Sequence, residues 1–385
     1  MKNLASLFLL DDSVTFLNHG SFGACPKELF TVYQDFQLQM EREPVQFVTT
    51  IGPRLLKESR TALGEYIRCD ADDVVFTTNP TYAINIIAKS LDLKPGDEIL
   101  ATNHEYGAMD RTWKYYCRKS GAKYVTQQLS LPFTSREKCL EEFWAGYTER
   151  TRVVFINQVS SPTALIFPVK EICERARELG LITIVDGAHV PGHLPLDLSE
   201  LKADIYTGAC HKWMLTPKGN SFLYVRKELQ DQFDPLLISW GYESERPGPS
   251  RFLDYHEYQG TRDFSAFLTL PAAVKFLREH HWDSISALCR TAVLENYESL
   301  CEIAGTKPIA PLTPEFLGQM CSIPIRTDDP DKIKRILFEQ FRIEIPVVSW
   351  LGRVFVRMSL NGYNKPEDIE KLGNALKELK SRNMI

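Results

Sequence analysis

The sequence predicts an α/β fold, in which a large domain holds a mainly parallel sheet covered by helices on both faces and a smaller α+β domain follows it. The first observation is the region from about residue 70 to 225, where continuous apolar runs alternate with segments of helical periodicity. Strands that are apolar on both faces are typical of parallel sheets buried between two helix layers. The second observation is that strands and helices alternate differently beyond residue 319, which favours a separate α+β unit.

The predicted elements of the large domain follow one another as strand and helix. Helix boundaries are clearest where Pro168 begins a periodic segment and Gly180 ends it, because Pro and Gly are favoured at these two ends. The elements are strand Asp73–Asn79, helix Thr81–Leu91, strand Glu98–Asn103, helix Ala108–Gly121, strand Arg152–Gln158, helix Pro168–Gly180, and strands Leu181–Asp186, Asp204–Gly208 and Asn220–Val225.

The C-terminal part begins after a long loop, Ser239–Phe252, which is rich in Gly, Pro and Ser. Its predicted elements are a helix near Ser265–His281, a strand near Gln319–Ile325, a helix Pro330–Phe341, a strand Val354–Leu360 and a helix from Pro366 to about Arg382. We therefore expect an N-terminal segment 1–20 that packs with the small domain, a large cofactor-binding domain 21–260, and a small domain 261–385.

Composition excludes several classes of protein. Hydrophobic content of 44%, charged content of 25% and a net charge of −5 are ordinary for a globular enzyme, and no basic block predicts a nucleic-acid surface. Nine cysteines without a C-x-x-C pair argue against a disulfide framework or a metal site. The apolar patch near the N-terminus is short and interrupted by Asp11 and Asp12, so we expect no membrane span and a cytoplasmic protein.

Polar or small residues stand at the ends of the predicted strands. They are Asn79, Asn103, Gln158, Asp186 and Gly208. Ligands of open parallel sheets bind at the carboxyl ends of the strands. This coincidence indicates a small-molecule site there.

Asp186 and Lys212 predict the chemistry of that site. Asp186 ends an apolar strand, so its carboxylate needs a cationic partner, while Lys212 stands between His and Trp soon after the next strand. Pyridoxal phosphate needs a carboxylate on its ring nitrogen and an amine on its aldehyde. Taken singly, a structural ion pair or a lysine that reaches solvent is at least as good an interpretation; together with the small residues Gly187 and Ala188, the pair favours the cofactor.

Other residues are candidates for the remaining parts of that cofactor. Thr78, Asn79 and Thr81 surround a predicted helix N-terminus, which favours a phosphate, although an ordinary helix cap explains them as well. His211 adds a possible contact to the phosphate. Tyr106 is a candidate to stack on the ring, or a core aromatic residue.

Two further candidates concern the ring hydroxyl and the substrate. Gln158, or Asn157 beside it, is placed to bond the ring hydroxyl, or to cap a turn. Arg357 is a charged residue in an apolar strand, which suits either the carboxylate of an amino acid or a buried ion pair.

A set of motifs spread over nearly the whole chain carries a family resemblance. They are LNHGSFG (Leu17–Gly23), TTNPTYAIN, NHEYGAM, VSSPTALIFPV (Val159–Val169), VDGAHVPG (Val185–Gly192), HKW, YQGTRDFSAFLTLPAAV (Tyr258–Val274) and VRMSLNGYNKPEDIEKL (Val356–Leu372). In this order they resemble the class V aminotransferase family of fold-type I pyridoxal-phosphate enzymes, and within it the isopenicillin N epimerase-like branch. The resemblance is specific for fold and cofactor and much less so for the reaction.

The resemblance implies a role for each candidate. Lys212 would form the internal aldimine and Asp186 would pair with the ring nitrogen, while Tyr106 would stack on the ring and Gln158 would bond its oxygen. The phosphate would be held by Asn79 and His211, with Thr78 and Thr81 nearby, and His189 belongs to the same cofactor-binding set. Thr261 would reach the phosphate of a neighbouring subunit, which implies a homodimer. The substrate would meet Asn18, His19, Ser21 and Arg357.

One departure from the family pattern concerns the phosphate. Many relatives carry a hydroxyl three residues before the lysine, where this chain has Ala209. Thr207 is the residue that would compensate.

The reaction stays open between three outcomes at the α-carbon of an amino acid or of a peptide that contains one. They are epimerisation, transamination and β-elimination by a C–S lyase. Inversion needs a second acid, for which His19, Tyr106 and Tyr363 are candidates. The stretch IEIPVVSWLGR before the substrate arginine lacks the cysteine that persulfide-forming relatives carry there. A regulatory protein that binds the cofactor without catalysis is a remote alternative.

Overall fold

A seven-stranded sheet forms the centre of the protein in the computed structural model, which describes residues 4–385. Its strands lie in the order β2-β8-β7-β6-β5-β3-β4, with β2 Val74–Thr77, β3 Glu98–Thr102, β4 Lys123–Gln127, β5 Thr151–Asn157, β6 Ile182–Asp186, β7 Ile205–Ala209 and β8 Ser221–Val225. Neighbours from β4 to β7 are parallel, and β8 alone runs antiparallel to both of its neighbours. The predicted α/β class with a mainly parallel sheet is confirmed.

Helices cover both faces of this sheet, which explains its continuous apolar strands. Alternate strand residues such as Val75 and Phe155 pack in one apolar cluster, with α5 and α6. The residues between them, such as Phe76 and Ile156, pack in a second and larger cluster, which includes α8. Burial on both sides therefore explains why apolar residues stand at consecutive positions of the central strands.

The helices of the described chain connect and surround the strands. They are α1 His19–Phe22, α2 Lys27–Arg42, α3 Pro44–Gln46, α4 Gly52–Ile67, α5 Pro80–Ser90, α6 Gly107–Ser120, α7 Arg136–Trp144, α8 Val169–Glu178, α9 Leu198–Leu201, α10 Arg251–Glu257, α11 Ser265–Leu268, α12 Leu270–Glu279, α13 Trp282–Ala304, α14 Pro330–Glu339 and α15 Pro366–Ser381. Short 3-10 helices span Ala5–Leu7, Ala71–Asp73 and Lys227–Gln232, and Phe47–Ile51 is a π-helix.

The C-terminal part is an α+β unit, as predicted. Its antiparallel sheet has the order β11-β12-β9, with β9 Met320–Ile325, β11 Val347–Trp350 and β12 Arg353–Ser359. The N-terminal segment joins this unit, because β1 Thr15–Phe16 pairs in parallel with β10 Ile343–Glu344. The boundaries at residues 20 and 260 stay predictions.

Several elements were not expected from the sequence. The edge strand β4 has no apolar run because its side chains are partly exposed, so its sequence KYVTQ does not show the pattern of a buried strand. The helices α2, α4, α7 and the long α13 were also not expected from the sequence. The helix predicted near Ser265–His281 is divided into α11 and α12, with Pro271 at the start of the second. From Leu4 onward, the described chain has no helix with the length and apolarity needed to cross a bilayer.

Candidate active site

The carboxyl ends of the parallel strands open onto one cavity of about 420 Å³. Sheet register brings Asn157 beside Asp186, and Asp186 beside Thr207 on β7, whose chain continues into the turn that carries Lys212. The lining residues are Ser21, Phe22, Asn79, Pro80, Thr81, Tyr106, Met109, Asn157, Val159, Ser161, Asp186, Ala188, His189, His211 and Lys212.

Lys212 has the surroundings of a nucleophilic amine. Its Nζ lies 3.3 Å from Nε2 of His189, whose Nδ1 accepts a long 3.5 Å hydrogen bond from the Trp213 indole. Burial and the nearby Arg357 guanidinium lower the pKa of Lys212 to about 8, against the opposing effect of Asp186. The lowered pKa raises the neutral fraction of the amine near physiological pH, which favours attack on a carbonyl.

Asp186 is 4% exposed and ends β6 with its carboxylate at the cavity. Its Oδ1 accepts a hydrogen bond of 2.9 Å from the amide of Ala188. Burial raises the pKa of Asp186, while the Ala188 amide and the Lys212 ammonium act in the opposite direction. No cation lies within 4.0 Å of it among residues 4–385, so this carboxylate is available to a cationic ring nitrogen.

The N-terminal segment packs directly against the turn of Lys212. Gly23 has φ of 68°, and a Cβ there would lie 2.3 Å from the carbonyl oxygen of His211, so only glycine fits. His19 is fully buried, with Nε2 3.0 Å from the carbonyl oxygen of Lys212 and Nδ1 2.9 Å from the Tyr363 hydroxyl. The LNHGSFG motif therefore holds the backbone of Lys212.

Three residues of this motif were expected to meet the substrate, and one of them lines the cavity. His19 does not line the cavity, because its ring lies behind Lys212 and packs on Trp213. Asn18 donates to Glu344 at 2.9 Å and is also absent from the lining. Ser21 does reach the cavity.

Arg357 lies behind the rim with its fork turned to two lining residues. Nη1 donates to the carbonyl oxygen of Ser161 at 2.5 Å and to its Oγ at 3.1 Å, and Nη2 donates to Ser21 Oγ at 3.0 Å. Its Nε is buried without a partner, and no carboxylate within the described chain pairs with it. Burial lowers the pKa of Arg357 to about 10, so it remains a cation at neutral pH. A buried guanidinium without an anion is suited to the carboxylate of a ligand.

The N-terminus of α5 faces the cavity through Asn79, Pro80 and Thr81. Asn79 Oδ1 accepts from the amide of Tyr82 at 2.9 Å, and its Nδ2 donates to Thr78 Oγ1 at 3.3 Å. Asn79 is therefore a helix cap as well as a lining residue. Thr78 itself is not in the lining.

His211 and Tyr106 lie on other parts of the wall. His211 Nδ1 lies 2.7 Å from the carbonyl oxygen of Asn220, and burial lowers its pKa to about 4. Its Nε2 would gain a proton to donate only beside an anion such as a phosphate. Tyr106 is 48% exposed at the mouth, where its ring is free to cover a flat ligand.

Gln158 is not where the ring-hydroxyl prediction requires it. Its Oε1 accepts from the Tyr206 hydroxyl at 2.8 Å, and it lines a different cavity with Lys170 and His193. The reason is strand alternation, which directs neighbouring residues to opposite faces. Asn157, the neighbour that the sequence analysis named as the alternative, faces the cavity instead.

Two further residues that were expected to contact the phosphate do not line the cavity. Thr207 donates its hydroxyl to the carbonyl oxygen of Phe222 at 2.7 Å, so it does not replace the hydroxyl missing at Ala209. Thr261 is exposed and does not line the cavity. Its predicted contact with a neighbouring subunit stays a prediction.

Known proteins resemble this chain over most of its length. The family model described as aminotransferase class-V matches residues 24–372. The chain is 35% identical to isopenicillin N epimerase of Streptomyces clavuligerus over 96% of each protein. It is 29% identical to the probable chloroplastic L-cysteine desulfhydrase of Arabidopsis thaliana, covering 94% of this chain and 82% of that one. It also shares its fold, with a TM-score of 0.80 at 21% identity over 95% and 97% of the two chains, with a C-DES mutant that has glycine covalently linked to the PLP cofactor.

The chain belongs to the class V aminotransferase family, and the predicted resemblance is confirmed. The cofactor of that family is pyridoxal 5′-phosphate, and the residues of the cavity fit it. A free buried carboxylate, an amine of lowered pKa and a helix N-terminus share one cavity. Asn157, whose Oδ1 is buried without a partner, also lines it.

Proposed function

We propose that this chain is a pyridoxal-phosphate enzyme that acts at the α-carbon of an amino acid, or of a peptide that contains one, by epimerisation of the isopenicillin N epimerase type or by transamination. The observation that carries the proposal is that Asp186 and Lys212 line one cavity while neither forms an ion pair in the described chain. When bound, the cofactor supplies an electron sink that makes the α-proton acidic.

The residues of the chain divide the remaining work. Asp186 would hold the ring nitrogen protonated, and Lys212 would bind the aldehyde and then, when released, remove or return the α-proton as a general base. Arg357 would bind the α-carboxylate together with Ser21 and Ser161, which its fork already contacts. Asn79, Thr81 and His211 would hold the phosphate at the start of α5.

The geometry favours one of the three candidates for the second acid that inversion requires. His19 and Tyr363 contact each other behind Lys212, and neither lines the cavity, whereas Tyr106 does. Tyr106 is therefore the candidate that the geometry favours among the three. It would serve both as the stacking ring and as a proton donor through its hydroxyl.

The second candidate function is a C–S lyase that needs no enzyme thiol. The similarity to the L-cysteine desulfhydrase named above favours it. None of the nine cysteines lies in the wall of the cavity as the structure describes it, and the segment before Arg357 has none. A persulfide on the enzyme is therefore not part of this proposal.

A homodimer with shared active sites is part of the proposal. Thr261 is exposed, away from the cavity of its own chain. Tyr258, three residues before Thr261, lines a surface pocket together with Trp240 and Ile238. Trp240 is 86% exposed and Ile238 64%, which is unusual for large apolar side chains and is consistent with a covering subunit. The predicted cytoplasmic location stays a prediction.

Two measurements test the proposed function. The purified protein should be yellow, and Lys212→Ala should lose the absorption band of the bound cofactor; an unchanged spectrum in that variant would reject the assignment of the lysine. Incubation with a panel of amino acids in deuterated water should then give deuterated racemic amino acid for an epimerase, keto acid for a transaminase, or pyruvate with a released thiol for the lyase. Recovery of every amino acid undeuterated and unchanged would contradict catalysis at the α-carbon.

A further inference from the structure

Glu105 is a buried carboxyl group that the proposed function leaves without a role. It immediately precedes the cavity residue Tyr106, is 5% exposed, and does not line the cavity itself. Its Oε1 accepts from the Thr102 hydroxyl at 2.6 Å and from the Thr102 amide at 3.3 Å. Its Oε2 accepts from the Asn157 amide nitrogen at 2.9 Å and from Asn157 Nδ2 at 2.8 Å.

These bonds fix the orientation of the Asn157 side chain. Nδ2 also donates to the carbonyl oxygen of His104 at 3.0 Å, so both of its hydrogens are used. A flipped amide would set the Asn157 oxygen against two acceptors, Glu105 Oε2 and the His104 carbonyl oxygen, which is unfavourable. Oδ1 must therefore point away from Glu105.

The side-chain oxygen of Asn157 is therefore a hydrogen-bond acceptor without a donor. Asn157 Oδ1 is buried without a partner, although a buried polar atom without one costs free energy. Asn157 is 3% exposed, lines the cavity, and is paired in register with Asp186 on the next strand. Asn157 and Asp186 thus lie side by side on β5 and β6, and both residues line the cavity.

We propose that Glu105 is a positioning residue, which locks the amide of Asn157 so that its oxygen, beside the Asp186 carboxylate, accepts a hydrogen bond from the proton-bearing edge of the bound pyridoxal ring. The inference rests on the proposed placement of the cofactor between Asp186 and Lys212. Two neighbouring acceptors favour the form of the ring that carries protons on its nitrogen and hydroxyl.

Glu105 keeps the Asn157 amide in this orientation whether its carboxyl group is ionised or protonated on Oε1. Burial raises the pKa of Glu105 to about 8, with Asp186 acting in the same direction and the bonds from Thr102 and Asn157 acting against it. Both Asn157 donors use Oε2, so a proton on Oε1, shared with the Thr102 hydroxyl, leaves them intact. The orientation of Asn157 is therefore maintained across neutral pH.

A double-mutant cycle tests the inference. The affinity of the apo protein for pyridoxal 5′-phosphate and the pH at which the band of the bound cofactor changes are measured for Glu105→Ala, Asn157→Ala and the double variant. Loss of a buried hydrogen-bond partner predicts an affinity about 5- to 100-fold weaker for Asn157→Ala. Glu105→Ala removes the acceptor of both Asn157 donors, so it should weaken binding in the same direction and lower the pH of the spectral change.

The double variant separates positioning from general damage. If Glu105 acts through Asn157, the double variant should match Asn157→Ala alone, because the two effects are not independent. Glu98→Ala is the matched control, since Glu98 is a buried carboxyl at the start of β3, the strand that precedes Glu105, and it accepts from the Thr148 hydroxyl at 2.5 Å. It should lower thermal stability without changing cofactor affinity or the spectral pH.

Three results would overturn the inference. The first is that Glu105→Ala matches Glu98→Ala in cofactor affinity and spectral pH. The second is that the effect of Glu105→Ala is equally large in the Asn157→Ala background. The third is that wild-type protein binds the cofactor independently of Lys212, which would also overturn the proposed function; the first two would leave that function standing. If Glu105→Ala does not fold, Asn157→Ala alone decides, since an unchanged spectral pH in that variant contradicts the acceptor role.

Discussion

Replacing Arg357 by Gln should weaken the binding of an amino-acid substrate without removing the cofactor. The guanidinium has three hydrogen bonds to neutral groups of Ser21 and Ser161 and no carboxylate partner in the described chain. A carboxylate that binds there gains charge-assisted hydrogen bonds, worth about 1.5–3 kcal/mol. Since 1.4 kcal/mol corresponds to a factor of ten, KM should rise roughly 10- to 150-fold.

The assay uses the amino acid of the panel that exchanges its α-proton fastest in deuterated water. Initial rates of exchange against substrate concentration separate KM from kcat, and the loss should fall mainly on KM. The corresponding amino-acid amide, which has no carboxylate, should be affected much less. Arg357→Lys should recover only part of the loss, because an ammonium group keeps the charge but not the two-point geometry.

Arg60→Gln provides a matched control. Arg60 is also a buried arginine, at 5% exposed, but it pairs with Glu257 at 2.5 Å and Asp72 at 3.5 Å, away from the cavity. The Arg60→Gln variant should have reduced thermal stability and an unchanged KM. Equal losses for the amino acid and its amide in Arg357→Gln would refute the assignment of the carboxylate site, as would an unchanged KM.

Three other predictions follow from the same geometry. Because the pKa of Lys212 is lowered to about 8, the rate at which apo protein captures pyridoxal phosphate should rise with pH up to about 8 and level off above it. Stopped-flow absorbance measures this rate, with Lys212→Ala as the blank. A rate that keeps rising toward the ordinary lysine pKa would contradict the low value. Asn79→Ala removes a helix cap, so it should cost about 1 kcal/mol of stability in apo protein and more in the holo form; equal losses by calorimetry would place the phosphate elsewhere. Thr261→Ala should weaken cofactor binding only at protein concentrations where sedimentation shows a dimer, and a loss of affinity in the monomer would contradict a contact between subunits.

The sequence predicted those site residues whose position depends on one strand and its end. Asp186 and Lys212 follow apolar runs directly, so the parallel sheet alone brings them to the same edge. Asn79 was predicted at this edge for the same reason. Its role as a helix cap was also considered from the sequence, and the structure shows that cap. The sheet class itself followed from continuous apolar strands.

Residues that depend on packing between distant segments were not predictable in the same way. His19 lies 193 positions from the Lys212 carbonyl that it contacts, and its burial depends on how the N-terminal segment folds over that turn. The choice between Asn157 and Gln158 requires the strand register, which a single sequence does not define to one residue. Glu105 gave no signal, because a carboxylate between two polar residues is typical of an exposed loop.

Reduction of the holo protein with borohydride, followed by peptide mass mapping, is the most direct measurement of the central claim. Reduction fixes the cofactor to whichever lysine holds its aldehyde, so the pyridoxyl mass should be found on the peptide that contains Lys212 and on no other. A stable label on any other lysine with Lys212 unmodified, or a colourless protein that takes up no label, would contradict the site described here.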